Sequence, residues 1–194
     1  MPPILASRHK RILDVGCGMG QTLIASELAN DTEAYGVDCD SEAIAAGRLL
    51  APPNVKLLCA RGEELPFENA YFDLVFSRVA LPYMDINKAL REICRVLKRG
   101  GDFWLTLHRP SMLFSRAKHS VSAGDVKSAA SCAYALLNGA LFNYLGIQLS
   151  LFGRKETFQT VGGILRATKR AGLICRGIRT AAHFVVQGQK PPLQ

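Results

Sequence analysis

Hydrophobic and polar positions along the first half of the chain alternate between two periods. Short apolar runs of strand length stand at Ile12–Val15, Ala34–Val37, Val55–Cys59, Phe72–Ser77 and Phe103–Leu107. Runs this short, bounded by Gly, Pro and Asp, suit buried strands. Between them the apolar residues recur every three or four positions, as helices require. Thr22–Ala29 presents Leu23, Ile24 and Leu28, and Ser41–Leu50 opens at an Asp40 or Ser41 cap and stops at Pro52 and Pro53. A third helix, capped by Asp85 or Asn87, aligns Leu90, Ile93, Val96 and Leu97 and is expected to end at Gly100 and Gly101. Strands joined through helical segments pair in parallel by right-handed crossovers.

The second half breaks this rhythm. No charged residue occurs from Ser128 to Gly153. Leu136, Leu137, Leu141, Phe142 and Tyr144 crowd that stretch, while Asn138, Gly139, Asn143, Gly146 and Gln148 interrupt it. It is long enough to span a bilayer, but the polar interruptions argue against a single span. Two readings stay open. One is a cap of one or two helices over the carboxyl edge of the sheet, with those five large side chains turned toward it. The other is an ordinary core helix that lacks charges. Arg166–Leu173 reads as a last helix ending at Gly172, followed by strands at Leu173–Ile178 and His183–Gln187. The expected fold is α/β: a doubly wound, mostly parallel seven-stranded sheet. It is expected as a single domain over residues 1–194, with a helical cap insertion at about 111–160.

Composition adds context. The 48% apolar share is that of a soluble globular chain. The opening MPPILASRHKR has no apolar signal core, which points to the cytoplasm. The six cysteines form no C-x-x-C pair, so no metal site is indicated and reduced thiols are expected. The net charge is +8, from 24 basic and 16 acidic residues. Basic groups gather at Arg8, Lys10 and Arg11, along Arg91–Arg99, and late in the chain at Arg154, Lys155, Arg166, Lys169, Arg170, Arg176 and Arg179. That charge keeps nucleic acid or an acidic membrane face among the candidate partners. The runs nevertheless lack the interleaved aromatics of a single-strand binder, and scattered solvated faces are the plainer reading.

The chemistry concentrates in RILDVGCGMGQT, Arg11 to Thr22, where a strand runs into Gly16, Gly18 and Gly20. Glycines clustered after a strand mean a tight turn or a ligand pressed against bare backbone. Gln21 stands where a dinucleotide site wants its third glycine, so the pyrophosphate fingerprint is not met. Asp38 closes the next strand, placed to accept both hydroxyls of a ribose. A nucleoside with a zwitterionic tail and no pyrophosphate fits: Gly16 and Gly18 would approach the tail, and Asp14 would pair with its amine directly or through water.

The chain here resembles the class I S-adenosylmethionine-dependent methyltransferases, of the small-molecule type. ILDVGCGMG is similar to that family's first motif, YGVDCDSEAI to its acidic loop, EELPFENAYFDLVFS to its approach to the fourth strand, and ALREICRVLKRGGDFWLT to the following helix, turn and strand. The resemblance implies a Rossmann-like methyltransferase fold and S-adenosyl-L-methionine as cofactor. It implies that Asp14 and the Gly16–Gly20 turn, with Cys17 as a small packing residue, hold the methionine end. Asp38 would take the ribose, Cys39 would pack beside the adenine, Gly62 and Glu63 would present backbone at the adenine edge, and Ser77 would lie near the methionine end. Two positions depart from the family pattern. Arg61 stands where an Asp usually accepts from the adenine amino group, and Arg has no acceptor. Pro82–Tyr83 replaces a His–His pair.

Methyl transfer from a sulfonium needs alignment more than activation, with a base only for hydroxyl acceptors. His108, at a strand end, and Tyr83 are the candidate bases. The expected acceptor is a small, apolar molecule enclosed by the cap, with the flanking basic residues available to a membrane surface. The alternatives are an RNA methyltransferase, for which SRVALPYM lacks the Asn/Asp-Pro-Pro-Tyr/Phe signature of amino-directed base methylation, and an inactive nucleoside-binding protein of the same fold. A nicotinamide oxidoreductase is disfavoured by Gln21. The oligomeric state is left open.

Overall fold

The computed structural model describes residues 3, 5–26, 28–151, 155–180 and 183–192. Seven strands form one sheet: β1 (Arg11–Val15), β2 (Glu33–Asp38), β3 (Val55–Cys59), β4 (Phe72–Arg78), β5 (Leu97–Leu107), β6 (Ile174–Arg179) and β7 (Phe184–Gln189). Their spatial order is β3-β2-β1-β4-β5-β7-β6. The first five run parallel, and β7 lies antiparallel between β5 and β6. The order reverses between β1 and β4, which places the switch point, where such sheets bind ligands, at the ends of those two strands.

Strand alternation divides the core into two faces. Leu13, Val15, Val75, Phe103, Leu105 and Leu107 pack with Leu90 and Ile93 of α3 (Ile86–Val96), Phe142 of α5 (Val126–Leu145) and Ile164 of α6 (Val161–Arg170). On the opposite face Ile12, Leu74, Phe76 and Trp104 pack with Leu23 of α1 (Gln21–Ile24) and Ile44 of α2 (Ser41–Arg48). The caps follow sequence chemistry: Asp40 accepts from the Glu42 and Ala43 amides of α2, and Asp85 from the Lys88 amide of α3.

Several expected boundaries move. The first helix is one turn, Gln21–Ile24, rather than Thr22–Ala29. Ser26 Oγ donates to the Thr22 carbonyl at 2.6 Å and takes the acceptor that a further turn would use. Gly100 and Gly101 do not end α3, which stops at Val96; they lie inside β5. There β5 passes from Leu97, opposite Phe72, to Asp102, opposite Leu74, and Gly100 at φ 75° absorbs the irregularity. The last helix starts earlier, at Val161, on a Thr160 cap.

The cap region holds two helices, α4 (Pro110–Ser122) and α5. Its orientation corrects the expectation. Of the five large side chains assigned to the sheet side, only Phe142 is buried in the main core. Leu137 and Tyr144 are exposed, at 57% and 84%; Leu136 and Leu141 are half-buried. The inward stripe is instead Cys132, Ala135, Asn138, Gly139, Phe142 and Asn143. Small and amide side chains win because close contact is needed. A Cβ at Gly139 would stand 2.2 Å from the Phe158 ring, and one at Gly163 would stand 1.9 Å from Asn143 Oδ1. Asn143 donates to the Gly139 and Phe158 carbonyls and accepts from the Thr160 amide at 2.8 Å, tying α5 to the cap of α6. Asn138 pairs with both the amide and the carbonyl of Leu149. Phe152, Gly153 and Arg154, part of the uncharged stretch and of the late basic group, lie outside the described residues. Among the described residues no helix is long and apolar enough to cross a membrane.

Candidate functional site

The glycine turn leaves β1 at the switch point, and its amides are spent on the protein itself. The Gly16 and Cys17 amides donate to the Val37 carbonyl at 2.8 and 3.0 Å, the Gly18 amide to Asp38 Oδ2 at 2.8 Å, and the Gly20 amide to the Cys17 carbonyl at 2.9 Å. The glycines therefore act by shape rather than as donors to a tail. Gly16 has φ 78°, and a Cβ there would stand 2.1 Å from Ala80 Cβ. Only glycine lets the Ala80–Met84 segment close over the turn. That segment leaves β4 through Val79 at φ 62°, a strained conformation for a β-branched residue and one that re-aims the chain across the cleft.

A cavity of ≈ 250 Å³ opens beside the turn. Gly16, Val37, Asp38, Cys39, Ala60, Arg61, Gly62, Glu63, Ala80, Tyr83 and Met84 line it, so the glycine turn, the acidic strand end and the loop after β3 do converge. Asp38 is held rigidly: Oδ2 accepts from Gly18 and Oδ1 from the Asp40 amide at 3.0 Å. Each oxygen keeps a further lone pair. Helix α3 anchors the loop that follows the Ala60–Glu63 wall. Glu92 accepts from the Leu65 amide, and Arg95 donates to the Leu65 and Phe67 carbonyls at 2.8 and 2.7 Å.

Two further residues stand apart from the lining. Asp14 is 1% exposed and its Oδ1 has no hydrogen-bond partner among the described residues; Ser77 is fully buried with its Oγ likewise unpaired. Burial pushes the Asp14 carboxyl up to about 8, with nearby Asp38 adding to the rise and Arg78 opposing it. An orphaned, buried acceptor costs free energy unless something supplies a donor. Cys17 is buried against Gly36, and burial raises its thiol, which makes it a packing group rather than a nucleophile.

Residues 13–105 match the family model described as a methyltransferase domain. Over this segment, 93 of the 194 residues, the chain is similar to methyltransferase domains. It is 36% identical over 103 residues to the uncharacterized methyltransferase YcgJ of Bacillus subtilis, which covers 50% of this chain and 40% of that protein. It is 34% identical over 100 residues to the O-methyltransferase rstn1 of Aspergillus nomiae, covering 48% and 44%. The chain thus spans half or less of the length of these curated relatives. Among solved structures, a chain of a complex between the Haloferax volcanii Trm112 methyltransferase activator and a methyltransferase superposes with TM-score 0.69 at 17% identity. That match covers 97% of this chain and 85% of that one, a likeness of fold.

Where the chain departs from the methyltransferase pattern, its own geometry shows the substitute. Arg61 pairs with Glu63 across 3.5 Å, and Glu63 Oε1 also accepts from the Asp85 amide at 3.0 Å. Both contacts fall on Oε1, so Oε2 and the neighbouring backbone are the acceptors left at this edge of the cavity. Tyr83 packs edge-on against His108, with ring centroids 5.3 Å apart. His108 is buried and outside the cavity lining. Burial lowers its pKa and raises that of Tyr83, so both are held neutral.

Behind them lies a polar group that sequence reading missed. Glu156 pairs with Arg116 of α4 at 2.9 Å and acts electrostatically on both His108 and Tyr83. Gln159 is fully buried, donates to Thr157 Oγ1 at 2.8 Å, and its Oε1 has no partner among the described residues. The Gln159 amide donates to the His108 carbonyl, which seats this segment at the end of β5. No periodicity marks Glu156 or Gln159 in the sequence; they follow a long uncharged stretch and reach the site only through the tertiary fold.

Proposed function

We propose that the protein transfers a methyl group from S-adenosyl-L-methionine to a small acceptor with a mostly apolar body and one reactive polar group. The observation that carries this reading is the orphaned Asp14 oxygen beneath a glycine turn whose adjoining cavity is rimmed by an immobilised Asp38. Both fit the cofactor. A buried carboxylate oxygen without a donor suits its ammonium group, and the free lone pairs of Asp38 suit its ribose hydroxyls. Cys39, Ala60 and Gly62 give a small, largely apolar wall for the adenine. When bound, the cofactor supplies an already activated methyl group on a sulfonium.

The chain's own part is alignment, exclusion of water and proton handling. His108, kept neutral by burial, can take a proton from an acceptor hydroxyl, with the Glu156 carboxylate favouring the resulting imidazolium and Arg116 opposing it. Leu113, Ala135 and Phe158, with Leu136 against them, form a separate packed apolar cluster that holds the cap helices together.

Calorimetry with S-adenosylhomocysteine tests the cofactor site. Asp38→Ala is expected to weaken binding by about 1.5–3 kcal/mol, the scale of a charge-assisted hydrogen bond. An unchanged dissociation constant in a folded variant rejects the assignment. Formation of S-adenosylhomocysteine across acceptors ranked by polarity tests the rest. Tight binding with no turnover on any acceptor would favour the second reading, a nucleoside-binding protein without catalysis, for which Arg61 in place of the usual acid speaks.

A further inference from the structure

Helix α5 is apolar on two sides. Its inward stripe is packed against the fold, as described above. Its outward stripe runs Val126, Ala130, Ala133, Leu137, Leu141 and Tyr144, spaced four, three, four, four and three residues apart, which is one face of a helix. Val126, Ala130, Ala133, Leu137 and Tyr144 are exposed, and Leu141 is half-buried. The apolar surface continues through Leu145, the last residue of the helix, and past its end through Ile147, Leu149 and Leu151, all exposed. Helix α4 beside it shows Phe114, Lys118 and Val121 in line on its solvent side. A helix this apolar all round is normally buried on every side, and an apolar patch this long marks a contact surface.

The charge around the patch selects its occupant. From Pro110 to Leu151 the only acidic residue is Asp125, which caps α5, while Arg116, Lys118 and Lys127 are basic. Arg116 is engaged by Glu156; Lys118 and Lys127 have no ion pair among the described residues. A second copy of this chain would set those lysines against their own kind on a molecule of net charge +8. An anionic lipid surface matches both features: it takes the apolar side chains among its acyl chains and the lysines at its headgroups.

We propose that the α4–α5 hairpin docks the protein on anionic membranes, lying in the interface rather than crossing it. The hairpin also roofs the polar group at His108 and Glu156. If the proposed acceptor reading holds, docking brings that site to the membrane surface, where apolar acceptors partition. The docking itself does not depend on that reading.

Co-sedimentation of the full chain with vesicles tests it without cofactor or turnover. Vesicles of phosphatidylcholine with phosphatidylglycerol are expected to pellet the protein, and phosphatidylcholine alone to do so weakly. The variant Leu137→Gln with Tyr144→Gln changes exposed positions to a good helix former. It is expected to lower partitioning by about tenfold or more, given the transfer free energy of two large apolar side chains. Lys118→Gln with Lys127→Gln should erase the preference for the anionic vesicles, at about fivefold per lysine. Unchanged melting and S-adenosylhomocysteine affinity in both variants separate this outcome from a folding defect and from the cofactor site. Absence of vesicle binding overturns the proposal. So does a dimer in sedimentation velocity that the Leu137→Gln, Tyr144→Gln variant dissolves, because the stripe would then be a subunit interface.

Discussion

Asp14 shows how one buried residue ties the stability of the fold to pH. Its carboxyl is pushed up to about 8, chiefly by burial. A raised folded-state value means that the native protein keeps a proton that the unfolded chain gives up near its ordinary value of 3.8. The contribution of Asp14 to stability is therefore fully present at low pH and is lost as pH climbs from about 4 toward about 8. Urea unfolding should show it: Asp14→Asn is expected to lose less stability than the parent chain over that window, and identical pH dependences would count against it. Binding makes a second, independent readout. An ammonium group placed at Asp14 restores the carboxylate, so S-adenosylhomocysteine binding near neutral pH should release close to one proton, about the full occupancy set by this shift. Calorimetry in buffers of different ionisation enthalpy measures that proton, and a buffer-independent enthalpy would place the amine elsewhere. The sequence singled out Asp14 because an acid before a glycine turn is a local signal. It gave no hint that the turn's amides would be consumed by Val37 and Asp38, since that depends on how β2 seats beside β1.

At the scale of elements, the strands were the readable part. Val55–Cys59 matches its expected bounds, and three further parallel strands differ by a residue at one or both ends. Strand β5 starts six residues earlier than Phe103. Buried strands show as apolar runs, while the Leu97–Asp102 stretch of β5 carries charges and glycines. The cap was found as helices but with its faces exchanged. Large apolar residues were assigned inward, yet Asn138, Gly139 and Asn143, which read as interruptions, are what face the fold. The reason is physical: close packing on Phe158 and α6 needs small residues, and the backbone exposed there needs amide partners. A paired substitution tests the orientation. Asn143→Leu leaves the Thr160 amide and Phe158 carbonyl unpaired and crowds Gly163. It is expected to cost about 3–5 kcal/mol of stability in urea unfolding. The outward Leu137→Gln should fall within about 0.5 kcal/mol of the parent chain. The reverse ranking would show that α5 is turned the other way.

For the whole molecule the question is what a net charge of +8 is for. Much of the basic side is already spoken for within the fold. Lys10 pairs with Asp31, Arg11 and Lys56 with Glu33, Arg95 with Glu92, Lys98 with Asp73, and Lys155 with Asp85. Arg95 and Lys98 in particular serve as ties between α3, β4, β5 and the loop after β3 rather than as a free surface. The exposed aromatics Phe114 and Tyr144 sit on the cap, Tyr83 lies at the cleft, and none is interleaved with the late arginines of β6. A groove for single-stranded nucleic acid combines a basic track with stacking platforms, and the two are separated here. Binding of a short RNA, followed by fluorescence anisotropy across a salt series, is therefore expected to be weak at physiological ionic strength. S-adenosylhomocysteine, a zwitterion that the proposed site would hold by one rigid carboxylate and one buried acid, should bind with an affinity that barely changes over the same series. An RNA acceptor would behave differently, with log K falling by about 0.7 per neutralised phosphate for each tenfold rise in salt. A slope of several such units, together with RNA-dependent formation of S-adenosylhomocysteine, would make the unpaired lysines and arginines a nucleic-acid track. It would also move the acceptor from the space beneath the cap to the open surface beside it.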